Sequence, residues 1–420
     1  MTATDPHRAI EAVFRIEQAK LIAGLTRMLR DVGLAEELAQ DALVAALEQW
    51  PRAGIPDRPG AWLMASAKNR AIDRIRRSKL IDRKHAEIES DLATDGEAEM
   101  PDLDAALDDD IGDDLLRLMF ISCHPVLGTE AQVALTLRLI GGLKTEEIAR
   151  AFLVPEPTIA QRIVRAKRTL SDKKVPFEVP RGPELEKRLA SVLSVIYLVF
   201  NEGYAATAGD DWMRPQLCEE ALRLGRILAE LAREEPEVQG LVALMELQTS
   251  RLAARRGPDG EPILLLDQNR ARWDQLLIRR GLAALARATT LSPDLGPYAL
   301  QAAIAACHAR ARTADETDWA SIVGLYGRLG EVMPSPIVEL NRAVALSMHL
   351  GPDAGLRIVD ALSSEPLLKD YHLLPSVRGD LLAKLGRSGE ARAEFERAAA
   401  LTQNARERVL LLKRAADCAE

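Results

Sequence analysis

Apolar positions three and four residues apart, separated by polar and charged ones, run through most of this chain and predict amphipathic helices. Segments 215–231, 236–256, 297–310 and 336–349 each read as one helix, set off from its neighbours by Pro and Gly. In GAWLMASAKNRAIDRIRRSK, a wheel at about 100° per residue puts Met64, Ala65, Ala67, Ala71, Ile72 and Ile75 on one arc. Ser66, Asn69, Arg70, Asp73, Arg74, Arg76 and Arg77 take the other. The result is a core-facing stripe backed by a cationic ridge, which either tracks phosphates or is only a solvated face.

The stretch LKTEEIARAFLVPEPTIAQRIVRAKRTL, residues 143–170, is more specific. Thr145 is placed to cap a short helix with Glu146 and Glu147 in its first turn, Leu153-Val154-Pro155 makes a tight turn, and a longer helix follows. On that helix Ile159, Ile163, Ala166 and Leu170 share the buried face, while Thr158, Gln161, Arg162, Arg165, Arg168 and Thr169 share the other. This is a helix-turn-helix pattern, and Arg and Gln on its second helix can discriminate base edges in the major groove. The alternative is a helix-turn-helix that only packs.

Composition agrees with helices. Hydrophobic residues make up 47% and charged residues 28%, but aromatics only 4%, with Ala, Leu and Arg abundant, so the expected fold class is all-α. A chain of 420 residues implies two or three domains. The net charge of −8 conceals segregation: Trp62 to Lys84 carries eight Lys or Arg against two acids, whereas Ala86 to Asp114 carries thirteen acids and no Lys or Arg. That switch marks an acidic linker over 86–112 between folded parts at 8–85 and 113–173; KKVPFEVPRGP, with four prolines or glycines, separates these from 184–420.

The first residues, MTATDPHRAIEAVF, show no signal peptide, and nowhere do about 18 apolar residues run uninterrupted, so a cytoplasmic location and no membrane partner are expected. Cys123, Cys218, Cys307 and Cys418 form no CxxC pair, and neither a metal site nor a disulfide framework is expected. Nucleotide-binding and hydrolase motifs are missing and the six histidines are scattered, so neither an enzyme nor a cofactor is expected.

Taken in order, these segments resemble the extracytoplasmic-function (ECF) sigma factors of the sigma-70 family over roughly residues 8–172. LAEELAQDALVAALEQW resembles the part of region 2 that docks on the clamp coiled coil of the polymerase largest subunit, with Glu37, Gln40 and Asp41 on the matching polar positions. AWLMASAKNRAIDRIRR resembles the part that reads the −10 element, which would assign that role to Asn69, Arg70, Arg74 and Arg77. The helix-turn-helix resembles region 4, which reads the −35 element, through Thr158, Gln161, Arg162, Arg165 and Arg168. The resemblance implies RNA polymerase core (clamp and flap) and promoter DNA as partners. It also places WPRAGIPDRPG, residues 50–60, as the loop that cradles a flipped base, with Trp62 either stacking on a base or lying in the core. In this family the acidic linker threads the polymerase channel; a passive tether is the alternative. The recognition helix begins Glu156-Pro157-Thr158-Ile159 where the family often has Val-Gly-Thr-Val, so no promoter sequence carries over.

Beyond residue 184, GDLLAKLGRSGEARAEFERAAAL spaces Gly379, Ala391, Phe395 and Ala398 by 12, 4 and 3, like the packing positions of a tetratricopeptide repeat; Ala354, Ile358 and Ala361 form a looser earlier copy. A repeat-like α-solenoid or an irregular helical bundle follows. NEGY at 201–204 and LLLDQNRARWD at 264–274 resemble signatures of the sigma-factor group with a tetratricopeptide-like C-terminal extension, which implies regulation by the fused domain. Asn201, Glu202, Tyr204, Asp267, Arg270 and Asp274 are its candidate contact residues for a small regulatory protein or ligand, against the alternative of an internal hydrogen-bonded network. We expect the extension to enable initiation. Two rivals are a helix-turn-helix regulator that acts without polymerase core and a tetratricopeptide scaffold.

Overall fold

The computed structural model describes residues 6–89, 111–258 and 260–418. Most of the linker expected at 86–112 therefore lies outside the described residues. The fold is all-α, with two units divided between Val195 and Ile196.

The first unit contains α1 (Pro6–Leu29), α2 (Val32–Ala53), α3 (Pro59–Glu89), α4 (Ile111–Ser122), α5 (Thr129–Leu139), α6 (Thr145–Phe152), α7 (Glu156–Asp172) and the first half of α8 (Pro183–Tyr204). Helix α1 packs against α2, α3 and α4 through fully buried Ile22 and Leu25. Asp31 caps α2 by accepting from the Leu34 backbone N–H at 2.8 Å, and Gly54, at φ +85°, ends it in a backbone region open to glycine. The seam of α3 runs through Leu63, Ala67 and Ala71, all fully buried, at four-residue spacing. The wheel had missed Leu63, and Ala65, expected inside, is exposed.

A sharper boundary was expected at 184. Instead Arg188, only 6% exposed, donates to the Phe120 carbonyl at 2.7 Å, and Ser191 donates to the Cys123 carbonyl at 2.8 Å. These bonds satisfy the C-terminal carbonyls of α4 and bind the start of α8 to the first unit.

The second unit continues with α9 (Pro215–Leu231), α10 (Pro236–Thr249), α11 (Gln275–Leu291), α12 (Pro297–Arg310), α13 (Trp319–Val332), α14 (Pro336–Leu350), α15 (Pro352–Leu362), α16 (Leu373–Lys384), α17 (Ser388–Leu401) and α18 (Ala405–Asp417). Several helices open on Pro, whose missing N–H costs nothing in a first turn, and this is why Pro marks element starts along the chain. Each helix from α12 onward packs on its sequence neighbour. In α16–α17 Gly379 lies where a Cβ would sit 3.0 Å from the Phe395 ring, and Ala391, Phe395 and Ala398 are buried. In α14–α15 the close approach is made by Gly355, where a Cβ would fall 2.7 Å from the Ala343 carbonyl oxygen. Ala361, expected to pack there, is exposed, because the register is shifted by one residue.

The two ends of the unit also meet. Two-residue strands β1 (Ala208–Gly209) and β2 (Gln403–Asn404) pair in parallel. Asn404, fully buried, donates to the Ala206 and Asp211 carbonyls (3.3 and 3.2 Å) while its Oδ1 accepts from the Arg406 and Glu407 N–H groups at the start of α18. One side chain thus caps the last helix and ties it to the beginning of the unit.

Candidate nucleic-acid interface

Helices α6 and α7 meet through Leu153, whose left-handed backbone (φ 52°) makes the turn. Thr145 is the first residue of α6 rather than its cap; the preceding Lys144 N–H is satisfied by the Glu147 carboxylate at 2.7 Å. Pro157 sits in the first turn of α7. Ile159, Ile163, Ala166 and Leu170 are the buried residues of α7, so their burial fixes which face is turned outward.

That outward face carries Gln161, Val164, Arg165 and Arg168, all exposed, with Thr158 and Arg162 half-buried at its flanks. Arg162 pairs with Glu130 at 2.6 Å, and Arg168 with Asp172 at 3.4 Å, both carboxylates well exposed. Exposed pairs of this kind are worth ~0–1 kcal/mol and yield readily to a phosphate or base edge. Val164, 65% exposed, is an apolar residue on a basic face, a position that helical periodicity does not mark as functional. It extends the same stripe at i+3 from Gln161 and suits contact with a thymine methyl.

The outer stripe of α2 runs Glu37, Gln40, Asp41 and Val44, with Val44 50% exposed. The structure brings two of these residues against the basic ridge of α3. Arg74 donates to Glu37 Oε1 at 2.8 Å, and this bond, with the negative charge behind it, raises the Arg74 pKa. Arg70 donates to the Asp41 carbonyl at 2.7 Å and lies 3.8 Å from its carboxylate. Asn69 is exposed beside them, whereas the side chain of Arg77 lies outside those described. Trp62 is half-buried and packs edge-on to buried Trp50, ring centroids 5.2 Å apart, so its place is in the hydrophobic base of the loop. Most of that loop is exposed, including the large apolar side chain of Ile55, 45% accessible.

Behind these surfaces lies a buried ionic contact that the sequence did not reveal. Glu36, 4% exposed on α2, accepts from Arg138 Nε of α5 at 2.6 Å and from Lys167 Nζ of α7. Gln18 of α1 reinforces it by donating to the Arg138 carbonyl at 3.2 Å. The basic face of α7 is thereby held by its flank, leaving the Gln161–Arg168 stripe exposed.

In the second unit, the six candidate contact residues are mostly engaged internally. Arg270 is buried and donates to the His308 and Ala311 carbonyls (2.7 and 2.9 Å) and to the Thr317 hydroxyl (2.9 Å). Asp274 caps α11, Glu202 pairs with Arg214, and the Tyr204 ring lies under Arg255 at 3.5 Å. Asn201 and Asp267 remain exposed. The set is not gathered into one site.

No helix among the described residues is long and apolar enough to cross a membrane. Comparison with known proteins matches residues 13–81 to sigma-70 region 2, residues 117–170 to sigma-70 region 4, and residues 188–289 to a family of unknown function, DUF6596. The chain is 45% identical over 388 residues to the uncharacterized protein R00370 of Rhizobium meliloti (strain 1021), covering 92% of this chain and 90% of that one. It is 29% identical over 175 residues to the probable ECF RNA polymerase sigma factor SigI of Mycobacterium tuberculosis, which spans 41% of this chain and 58% of the relative. It is 38% identical over 72 residues to the ECF RNA polymerase sigma factor SigK of Mycobacterium sp. (strain KMS), 16% of this chain and 36% of that one. With both DNA-reading regions in sequence order and a DUF6596 extension behind them, the chain belongs to the ECF sigma factors of the sigma-70 family, which are not enzymes and whose partners are RNA polymerase core and promoter DNA.

Proposed function

We propose that this sigma factor docks on the polymerase clamp through Glu37, Gln40 and Asp41, takes the −10 element on Asn69, Arg70, Arg74 and Arg77, and reads the −35 element with Thr158, Gln161, Arg162, Arg165 and Arg168. The observation that carries the reading is the α7 stripe: basic and amide groups exposed on one face, with the opposite face wholly apolar and buried. The pairs Arg74–Glu37 and Arg70–Asp41 give region 2 a reason to exchange partners. Docking on polymerase draws the α2 carboxylates away and leaves Arg74 to phosphate and unpaired bases, while Arg70 keeps the Asp41 carbonyl and turns its remaining donors to them. The exchange is inexpensive because all four side chains are substantially exposed.

The second unit, by this reading, regulates initiation, and its removal lowers promoter output. The deciding experiment is transcription in vitro with purified polymerase core, full-length protein and DNA from upstream of its own gene. A defined transcript is expected, sharply reduced on Arg165→Ala and weakened on Arg74→Ala. A protein that binds this DNA but does not bind core would be a regulator of another kind.

A further inference from the structure

In the second unit a cavity of about 210 Å³ lies where the closing helix α18 meets the segment before α11. One wall carries Trp212, Arg251, Arg255 and Gln268; the other carries His372, Glu407 and Leu410. At ~30 Å³ per water, its volume is that of about seven waters, below the usual range for drug-sized ligands.

The polar groups facing this space are incompletely matched. Arg255 is 8% exposed, donates to the Tyr204 carbonyl at 2.5 Å, and lies over the Tyr204 and Trp212 rings at 3.5 and 4.5 Å. Among the described residues no carboxylate comes within ion-pair distance of it. Burial lowers its pKa, and the Glu407 charge across the cavity offsets this only in part. Arg251 lies over the Trp273 ring at 5.4 Å and donates to Gln248 Oε1 across a long 3.4 Å, and its Nε is buried without an acceptor. Gln268, 6% exposed, donates to the Ile263 carbonyl at 3.0 Å, which leaves its Oε1 buried without a donor. The acid of the far wall, Glu407, is already engaged: its Oε2 accepts from the Thr402 hydroxyl at 2.9 Å and lies 3.3 Å from His372 Nε2. Arg414, at the cavity edge, is paired to Asp380. The rest of the lining is aliphatic, including Ile263, Leu373 and Leu411.

A buried guanidinium without a direct ion pair is costly, and so is a buried carbonyl without a donor. A single molecule relieves both if it presents an anionic group to Arg251 and Arg255, a hydrogen-bond donor to Gln268 Oε1, and an apolar body to the leucines. We propose that this cavity binds a small amphipathic carboxylate bearing a hydroxyl or amide donor. Because the two walls come from opposite ends of the unit, joined through Asn404, such a ligand would stabilise the closed form by binding it alone. The inference deepens the reading of the second unit as regulatory, but the site stands or falls on binding, which is measured apart from transcription.

The test is isothermal titration calorimetry on the full chain with 4-hydroxybenzoate, 3-hydroxyphenylacetate and N-acetylleucine, each compared with uncharged 4-hydroxybenzyl alcohol and with inorganic phosphate. At least one of the three carboxylates is expected to bind saturably, at least tenfold more tightly than the alcohol or phosphate. Gln268→Leu and Arg251→Met should each weaken it at least tenfold, and Leu410→Trp, which fills the cavity, should abolish it while the thermal midpoint of the unliganded protein is retained. Failure of all three carboxylates to saturate, equal binding of the alcohol or of phosphate, or undiminished binding in Leu410→Trp overturns the proposal. Saturable binding with no change in transcript yield would keep the site and remove only its regulatory role.

Discussion

Replacing Glu36 by Gln tests whether the buried ionic contact between α2, α5 and α7 holds the first unit together. The substitution keeps the shape and one acceptor oxygen but removes the charge that faces both Arg138 and Lys167. Breaking a fully buried pair costs roughly 3–5 kcal/mol, since the remaining charge loses its counterion. Here both cations are about a fifth exposed (21% and 22%) and Arg138 keeps the Leu143 carbonyl as an acceptor at 3.3 Å. Water therefore recovers part of the loss, and about 2 kcal/mol is the expected cost, roughly a thirtyfold increase in the open population. Hydrogen exchange read by mass spectrometry on the full chain reports it locally: amides of α5 and α7 should exchange that much faster, while those of α16 and α17 do not change. Lys167→Met made alone and with Glu36→Gln completes a double-mutant cycle, with a coupling of about 1–2 kcal/mol expected. Strict additivity, or a change below ~0.5 kcal/mol in Glu36→Gln, would mean that the contact is incidental and that α7 is held by its apolar face alone.

Arg165→Ala should cost about 1–3 kcal/mol of −35 discrimination, seen as a roughly fivefold or greater drop in transcript from the matched promoter and a smaller one from a promoter altered at the contacted base pair. Phe395→Ala removes a ring that is 1% exposed against Gly379 and should lower the stability of the second unit by about 3–5 kcal/mol in urea titration. Asn404→Ala, which loses a helix cap and two buried carbonyl contacts, should cost about 2 kcal/mol in the same titration and weaken protection around Ala206. Burial first, then the neighbouring Arg251 and Arg270 charges, push His308 down to about 4. The unfolded chain thus binds the extra proton between about pH 4 and 6.5, so this stability is fully present above 6.5 and is lost as the pH falls to 4, by about 3 kcal/mol. His308→Phe should flatten that slope in pH-dependent thermal melts.

What the sequence made legible was periodicity and local punctuation. The buried face of α7 follows from four apolar residues at helical spacing, and α9, α12 and α14 begin where Pro is tolerated, so each could be placed from a window of about a dozen residues. The α16–α17 contact was legible for the same reason, because Gly379 and Phe395 belong to one short hairpin. Arg74 and Glu37 were each picked out by resemblance, but not as partners, since 37 residues separate them and no local pattern links the two helices.

Nonlocal polar contacts are invisible to that kind of reading, and in this chain they decide the roles of the most conspicuous polar residues. Glu36 looks in sequence like its neighbour Glu37, yet one is buried between residues 102 and 131 positions away and the other is exposed. Arg270 stood out as a recognition residue because it lies in a polar run, and the structure instead uses it to satisfy carbonyls at the end of α12. Both keep one buried group unmatched, the Nε of Arg270 and the Oε1 of Gln268, but of the two Gln268 is the one that lines the cavity beside α18. What separates the two is thus where the unmatched group lies once the chain has closed, against packed helix or facing open space. The far wall of that space is carried by α18, whose cap Asn404 bonds a segment 198 residues away, a contact with no sequence period at all.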